Sequence, residues 1–473
     1  MISTSAARAV LQRSQQEPEW WVNNILGNNL WSVQQEILNS VKDNQETVVA
    51  SCHGAGKSLT AANVALWYLF NHKPSVVITT APTDRQVRGI LWKEIRLAHS
   101  RARVPLGGRL LTQELKLDTN WWAWGFTAPE YDPDRFQGFH EVNILVIVDE
   151  AAGVSEQIYE AIDGVLTSEH SRLLLIGNPT NAAGRFGQAF KTPGIKKFYI
   201  SAYDTPNFTT FGITEEDIAN GTWQDKITGE LPAPYLVTPQ WVAKRYQRWG
   251  KDSPLYQAKV LGQFPEQGDD TLIPLSWIDA AVKRKLEPGE PIELGVDVAR
   301  YGQDESVWVI RRGSVARLYL TKAMGDTMET TGLCVKSRKE TKATKIKVDA
   351  DGLGAGVHDR LKELGEPAIE MRSGMAATDS ERFANKRAEW WWGLRERFES
   401  GDIDIEDDEE LISQLSNIKY KINSRGQIQI ESKDEMRKRG LPSPDRADAL
   451  MLAFAKQKEV KPVRLRARSV GRW

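Results

Sequence analysis

Hydrophobic positions in the first half of the chain fall into short continuous runs separated by longer amphipathic stretches. The segments 46–51, 75–80, 143–148 and 172–177 read as strands built around such apolar runs, nearly continuous at 143–148. That pattern suits strands buried on both faces of a parallel sheet, because alternation appears only where one face meets water. The stretch 30–38 starts an amphipathic helix just ahead of the first run, and residues 1–27 read as a polar helical lead-in. Strands and helices alternating in this way predict a doubly wound α/β domain over 28–210, with ligands gathering at the carboxyl ends of its strands.

Periodicity weakens between 211 and 285, where Pro232, Pro234 and Pro239 punctuate a segment rich in Trp, Gln and Tyr. This predicts a helical subdomain and linker. A new start follows Pro288 and Pro291. Apolar runs at 292–300, 306–310 and 316–320 come in quick succession, which predicts antiparallel pairing. A further run at 345–349 ends in Asp349, and a helix carrying Arg387 and three consecutive tryptophans comes after it. Residues 417–423 and 427–431 alternate apolar and polar around Ser424-Arg425-Gly426, a hairpin pattern. A helix around 444–455 closes this second domain, 286–455, and a basic tail occupies 456–473.

Length and composition change this picture little. A chain of 473 residues has room for two or three domains, and its 26% charged content is that of an ordinary globular protein. No apolar run approaches membrane-spanning length and the N-terminus lacks a signal-peptide pattern, so no membrane association is expected. The formal net charge is −1, which by itself does not announce a nucleic-acid partner. Charge is local instead: Lys456, Lys458, Lys461, Arg464, Arg466, Arg468 and Arg472 face a single acid, Glu459. This tail suits DNA phosphates or an acidic protein surface, or else simply solvent. The two cysteines, Cys52 and Cys334, are not expected to pair, since Cys52 lies inside a candidate nucleotide loop; this fits a reducing cytoplasm. Seventeen tryptophans are expected to serve mainly the core.

The candidate loop is Ser51-Cys52-His53-Gly54-Ala55-Gly56-Lys57-Ser58, a turn between the first strand and a helix. Backbone N–H groups of such a loop cradle phosphates, Lys57 reaches the β- and γ-phosphates, and the Ser58 hydroxyl ligates Mg²⁺. The strict pattern would place glycine where Ser51 stands. Downstream, the run at 143–148 leads into Asp149-Glu150. In phosphate-loop enzymes the first acid orients Mg²⁺ and the second is placed to activate water as a general base. The run at 172–177 ends in Gly177-Asn178-Pro179-Thr180. All three motifs fall at expected strand ends.

A second constellation lies in the other half. Asp297 and Asp349 belong to apolar runs, while Asp445 and Asp448 open the last helix. Converging carboxylates suit Mg²⁺ or Mn²⁺, and a pair of such ions clamps the attacking and leaving oxygens of a phosphodiester. Singly, Asp445 also suits a helix N-cap, Asp448 a first-turn acid and Asp349 an Asx-turn. In the order strand, strand, late helix they suggest a ribonuclease-H-like metal nuclease.

Taken together, these motifs resemble the large terminase subunit of tailed bacteriophages, the ATPase and nuclease of genome packaging. The resemblance spans nearly the whole chain, from the loop 51–58 through 146–152 and 176–180 to 295–297, 348–354 and 443–450. It implies that Gln34 reads adenine and that the loop residues Ser51, Gly54, Ala55, Gly56, Lys57 and Ser58 hold ATP. Asp149 would hold its metal with Ser58, Glu150 would be the base, and Asn178 would belong to the motif coupling hydrolysis to movement. Asp297, Asp349, Asp445 and Asp448 would be nuclease metal ligands, with Lys433 facing the scissile strand. Many relatives carry an arginine in the loop where this chain has Cys52-His53. Some carry Arg-Gly where Gln137-Gly138 stands, which leaves Arg135 as the candidate finger. The implied partners are double-stranded DNA, a portal protein, a small terminase subunit and further copies in a ring. The implied location is the host cytoplasm, transiently at the procapsid portal and not in the mature virion. The alternative is a helicase- or repair-type ATPase fused to a nuclease, against which stands the single motor core.

Overall fold

The computed structural model describes residues 4–127, 141–265, 268, 270–299, 305–323 and 326–456. The chain forms two compact units. The first runs to Arg284 and also takes in Asp407–Ile418 and Asp434–Pro442; the second comprises Lys285–Glu406, Lys419–Lys433 and the chain from Ser443.

Among the described residues the first unit is built on eight strands. In chain order they are β1 Glu46–Ser51, β2 Val76–Thr80, β3 Arg109–Leu110, β4 Glu114–Asp118, β5 Trp121–Gly125, β6 Ile144–Asp149, β7 Arg172–Gly177 and β8 Lys196–Ile200. They lie side by side as β3-β4-β5-β2-β6-β7-β1-β8. From β5 to β8 every pairing is parallel, and β3 and β4 extend the edge antiparallel. Four of these strands lie within a residue of the expected runs, because burial on both faces leaves an unbroken apolar stretch. On one face Val48, Ile78, Val146, Val148 and Leu175 pack with Ile158, Ile162 and Phe186. The helix Lys57–Asn71 is buried almost all round, from Thr60 to Leu69, which explains why its sequence lacks a polar stripe. The antiparallel edge was not expected: β4 and β5 mix buried and half-exposed positions and so carry no continuous run.

Helices Glu215–Asn220, Trp223–Lys226, Pro239–Trp249, Pro254–Lys259 and Leu275–Lys283 follow β8 within the same unit. So does the helix Glu409–Asn417, which reaches this unit from far along the chain.

The second unit holds β9 Ile292–Asp297, β10 Glu305–Arg312, β11 Val315–Ala323, β12 Lys345–Asp349 and β13 Ala368–Met371. They lie in the order β11-β10-β9-β12-β13. The first three are antiparallel, as their close succession predicts, and β9, β12 and β13 are parallel. Leu294, Val296, Trp308, Ile346 and Val348 meet Cys334, Val357 and Leu361 on one face. The helix Asp445–Phe454 lies against β9 and β10. Its approach is closest at Gly295, where an added Cβ would collide with the Ala449 carbonyl and the Ala453 N–H. The expected hairpin is present but shorter, as β14 Tyr420–Ile422 and β15 Ile428–Ile430. Asn417 closes a helix instead of opening a strand. Trp67, Trp92, Trp249, Trp308 and Trp391 are among the most deeply buried side chains, so the tryptophan excess does serve the core. Among the described residues no helix is long and apolar enough to cross a membrane.

Candidate ATPase and nuclease sites

β1 ends at Ser51, and the helix starting at Lys57 opens after a loop whose left-handed backbone falls on Gly54 and Gly56, at φ 73° and 83°. Ser51 is not among the positive-φ residues. It is the last residue of a strand, so the glycine of the usual pattern has no conformational work to do there. Its carbonyl accepts a hydrogen bond of 2.7 Å from Asn178 Nδ2, which ties the end of β7 to the loop. Lys57 Nζ donates to the Cys52 carbonyl at 3.3 Å, a position from which it can turn to phosphate.

Ser58 Oγ donates to Asp149 Oδ2 at 3.1 Å, and the other Asp149 oxygen accepts the Glu150 N–H at 3.0 Å. Burial, then the neighbouring Glu150, push the Asp149 carboxyl up to about 6, against the pull of Lys57 and Ser58. A hydroxyl and a buried carboxylate meeting here are the donor pair a Mg²⁺ ion bound to nucleotide requires. Glu150 itself stands in the left-handed region, at φ 50° and ψ 45°. The Gly153 N–H returns to its carbonyl at 3.0 Å.

Gln34 is 1% exposed; its Nε2 donates to the Gly56 carbonyl at 3.3 Å and its Oε1 accepts the Trp31 N–H. The loop is fastened from behind as well. The Cys52 N–H bonds to Ile200 O, the His53 N–H to Lys259 O, and the Val237 N–H to Gly54 O. His53 stacks on Trp241, with ring centroids 5.8 Å apart, and Arg245 lies over the same indole and pairs with Glu409 at 2.5 Å. His53 is exposed by its surface area, yet desolvation of the ring against its neighbours, then Lys57 and Lys259, push it down to about 4. It is neutral at physiological pH. The Cys52 thiol, fully buried, is pushed up to about 12. Neither residue replaces the cation that many relatives carry in the loop. Arg135, Gln137 and Gly138 lie outside the described residues, as does the tail beyond Lys456.

In the second unit Asp297 ends β9, Asp349 ends β12, and Asp445 and Asp448 occupy the first turn of the last helix. Lys433 gathers three of them. Its Nζ lies 3.0 Å from Asp448, 3.6 Å from Asp297 and 3.8 Å from Asp445. Asp349 accepts the Asp351 N–H at 3.0 Å. Asp445 is not an N-cap, since Pro444 holds that place; its oxygens accept the Glu305 N–H at 3.0 Å and the Ser443 hydroxyl. Arg387 stands 3.7 Å from Asp448.

Burial raises Asp297 well above the usual carboxylate range, with Asp448, Asp349 and Asp445 adding to it against Lys433. Burial foremost, with Asp448 and Asp351, takes Asp349 to about 6. Burial also opposes the Asp448 charge, but Lys433 and then Arg387 outweigh it and hold that carboxyl below its ordinary value. An acid surplus of this kind fits a hard divalent cation. Among the described residues, however, no three of these groups form a ready-made cage, and the Lys433 ammonium lies within 4 Å of three of the four carboxylates.

Two polar residues of the helix Leu275–Lys283 are marked by no motif in the sequence. Asp279 and Lys283 lie beside the ATPase site, and their four-residue spacing looks like that of any exposed helical ion pair.

A parallel sheet whose inner strand opens a phosphate loop and whose second neighbour along the sheet ends in Asp-Glu defines a P-loop NTPase fold. The β11-β10-β9-β12-β13 sheet with acids at the ends of β9 and β12 is ribonuclease-H-like.

No protein-family profile matches the chain. It is similar to a curated probable terminase large subunit of Enterobacteria phage P7, 28% identical over 465 residues, covering 92% of this chain and 90% of that one. The resemblance carried by the motifs is thus borne out along nearly the full length. Among solved structures, the large terminase of bacteriophage HK97 is 13% identical over 94% of this chain and 99% of its own, with a TM-score of 0.35. The nuclease domain of the large terminase subunit of bacterial virus Sf6 is 23% identical over 40% of this chain and 99% of its own, with a TM-score of 0.37. The fold assignment rests on the strand orders above, not on these scores.

Proposed function

We propose that the chain is the ATP-driven translocase and nuclease of phage genome packaging. It couples ATP hydrolysis to movement of double-stranded DNA into a procapsid and cuts concatemeric DNA through a divalent-metal site. The observation that carries this reading is the presence of two acid-bearing sites on one chain, each at the carboxyl edge of its own sheet. Lys57, Ser58, Asp149 and Glu150 form one; Asp297, Asp349, Asp445 and Asp448 around Lys433 form the other.

In the first site Lys57 would leave the Cys52 carbonyl for the β- and γ-phosphates, and Ser58 with Asp149 would hold Mg²⁺. Glu150 would accept the proton of the attacking water, and Gln34 would stand at the adenine side of the loop. Asn178, bonded to Ser51, would report loop movement to β7. In the second site a divalent ion, Mg²⁺ or Mn²⁺, would supply Lewis-acid charge at the scissile phosphate. Asp297, Asp349 and the acids of the last helix would hold it, and Lys433 would move to the phosphate. A portal protein, a small terminase subunit and further copies of the chain are the partners this reading implies. Its setting is the host cytoplasm, transiently at the procapsid. Arg135 remains the candidate finger.

The deciding experiment is packaging of linear duplex DNA into purified procapsids by the full chain, with DNase protection as readout. Wild type is expected to protect DNA only with ATP, and Glu150→Gln to protect none. ATP-dependent strand separation without protection would instead establish a helicase-type enzyme.

A further inference from the structure

The helix Leu275–Lys283 is the last element of the first unit before the chain passes into the second at Lys285. Its polar residues face the ATPase site. Asp279 and Lys283, one turn apart, pair at 2.9 Å. The same Asp279 oxygen accepts a hydrogen bond of 3.1 Å from Thr180 Oγ1, in the run after β7 whose Asn178 clasps Ser51. Lys283 also lies against the turn Ala151–Gly153 that follows Glu150, since an added Cβ at Gly153 would stand 2.5 Å from its Nζ. Thr83, Ser155, Thr180, Asp279 and Lys283 line a polar cavity of about 480 Å³ here.

A non-glycine residue persists in the left-handed region only where its surroundings over-determine it. At Glu150 those surroundings can be named. The Gly153 N–H holds the Glu150 carbonyl, Tyr159 OH donates to Ala151 O at 2.7 Å, and the backbone of Gly177 lies close to the Glu150 Cα and the Ala151 N–H. Lys283 adds a charge at the far end of the same turn. Burial opposes that charge, but Asp279 above all, with Glu150 and Asp407, keeps the ammonium above its ordinary range. The ammonium thus faces Asp279 on its own helix and, farther off, Glu150 and Asp407.

We propose that Lys283 is a positioning residue of the ATPase site: anchored by Asp279, its ammonium holds the turn after Glu150 so that the carboxylate meets the attacking water, and it joins that turn to the helix leading out of the unit. The inference rests on the reading of Glu150 as the base. A state change at the nucleotide that shifts Glu150 would pull on Lys283, and Thr180 would pull on the same helix through Asp279.

The test measures ATP turnover and binding of a fluorescent ATP analogue in the full chain. Lys283→Ala is expected to lower kcat roughly 10- to 100-fold, the cost of a small misplacement of a reacting group, with analogue affinity unchanged. Lys283→Arg should keep most of the turnover. The exchange Asp279→Lys with Lys283→Asp retains an ion pair of the same spacing but not the Thr180 hydrogen bond, so it should recover part of the melting temperature but not the turnover. Normal kcat in Lys283→Ala, or turnover restored by the exchange, overturns the proposal. Glu150→Gln run alongside separates the two readings. If it turns over normally the base assignment fails and this inference with it, whereas an inactive Glu150→Gln beside an unimpaired Lys283→Ala overturns only the role of Lys283.

Discussion

Glu150 pays for its place with backbone strain. Its φ of 50° costs an L-residue about 1–2 kcal/mol, a cost glycine would not incur. Replacing it with Gly is therefore expected to raise the melting temperature while abolishing turnover, and replacing it with Gln to cut turnover by roughly 10²- to 10⁴-fold with nucleotide still bound. Phosphate release and thermal melting check both; a Glu150→Gly protein that is active, or less stable than wild type, contradicts the assignment. The acids of the second unit make a different prediction. Burial pushes the Asp349 carboxyl up to about 6 and that of Asp297 well above the usual range, favouring their neutral forms. The folded protein thus binds these protons more tightly than the unfolded chain. The Asp349 contribution to stability is complete below the ordinary value of 3.8 and is lost as pH rises through about 6, and that of Asp297 is likewise lost as pH rises above the usual carboxylate range. Asp448, held below its ordinary value, works in the opposite sense at lower pH. A divalent cation competes with the protons, so the gain in melting temperature on adding Mn²⁺ should grow from about pH 5 to about pH 8. Equal gains at both pH values would count against a metal site at these residues. Asp297→Asn should abolish Mn²⁺-dependent plasmid cutting and leave ATP turnover intact; cutting that persists places the nuclease elsewhere.

At the scale of elements, the close seat of the last helix on β9 fixes where Asp445 and Asp448 stand relative to Asp297. Gly295 permits that seat. Gly295→Ala is expected to destabilise the protein by roughly 1–3 kcal/mol, the usual cost of overpacking, and to depress cutting further by moving the acids apart. Denaturant unfolding and plasmid cleavage measure the two effects, and a variant with wild-type stability would show that the helix is free to shift. This seat was invisible in the sequence, where Gly295 is one more small residue inside an apolar run. What was legible was whatever a strand writes along its own length. β1, β6 and β7 are buried on both faces, so their runs and the motifs at their ends could be placed to within a residue. The strand-end positions of Asp297 and Asp349 were readable for the same reason. Features made by residues distant in the chain were not. Asp279 takes its meaning from Thr180, almost a hundred residues earlier, and His53 is held towards its neutral form by its stacking on Trp241 and by two nearby lysines. The missing glycine at Ser51 looked like a defect only because a consensus does not say which residues need positive φ.

On the scale of the molecule, chain order and unit order disagree. The helix Glu409–Asn417 belongs to the first unit although the chain has by then built the sheet of the second. In the first unit Glu409 pairs with Arg245, and Ile418 accepts the Leu272 N–H at 3.0 Å. A fragment ending at Arg284 lacks these partners, so it should melt below the first unit of the full chain and exchange amide hydrogen faster in the helix Pro239–Trp249. Matching protection factors there would show that the late segments contribute nothing. The same interleaving sets a timetable for synthesis. At about 5–20 residues per second a ribosome needs on the order of ten to thirty seconds to go from Arg284 to Pro442. Through that interval the nucleotide-binding sheet is complete but its unit is not, and the sheet of β9 to β13 emerges into the gap. Neither unit can be finished before the other has begun, and a nascent chain halted in this window would present a phosphate loop whose Arg245 and Leu272 still await their partners.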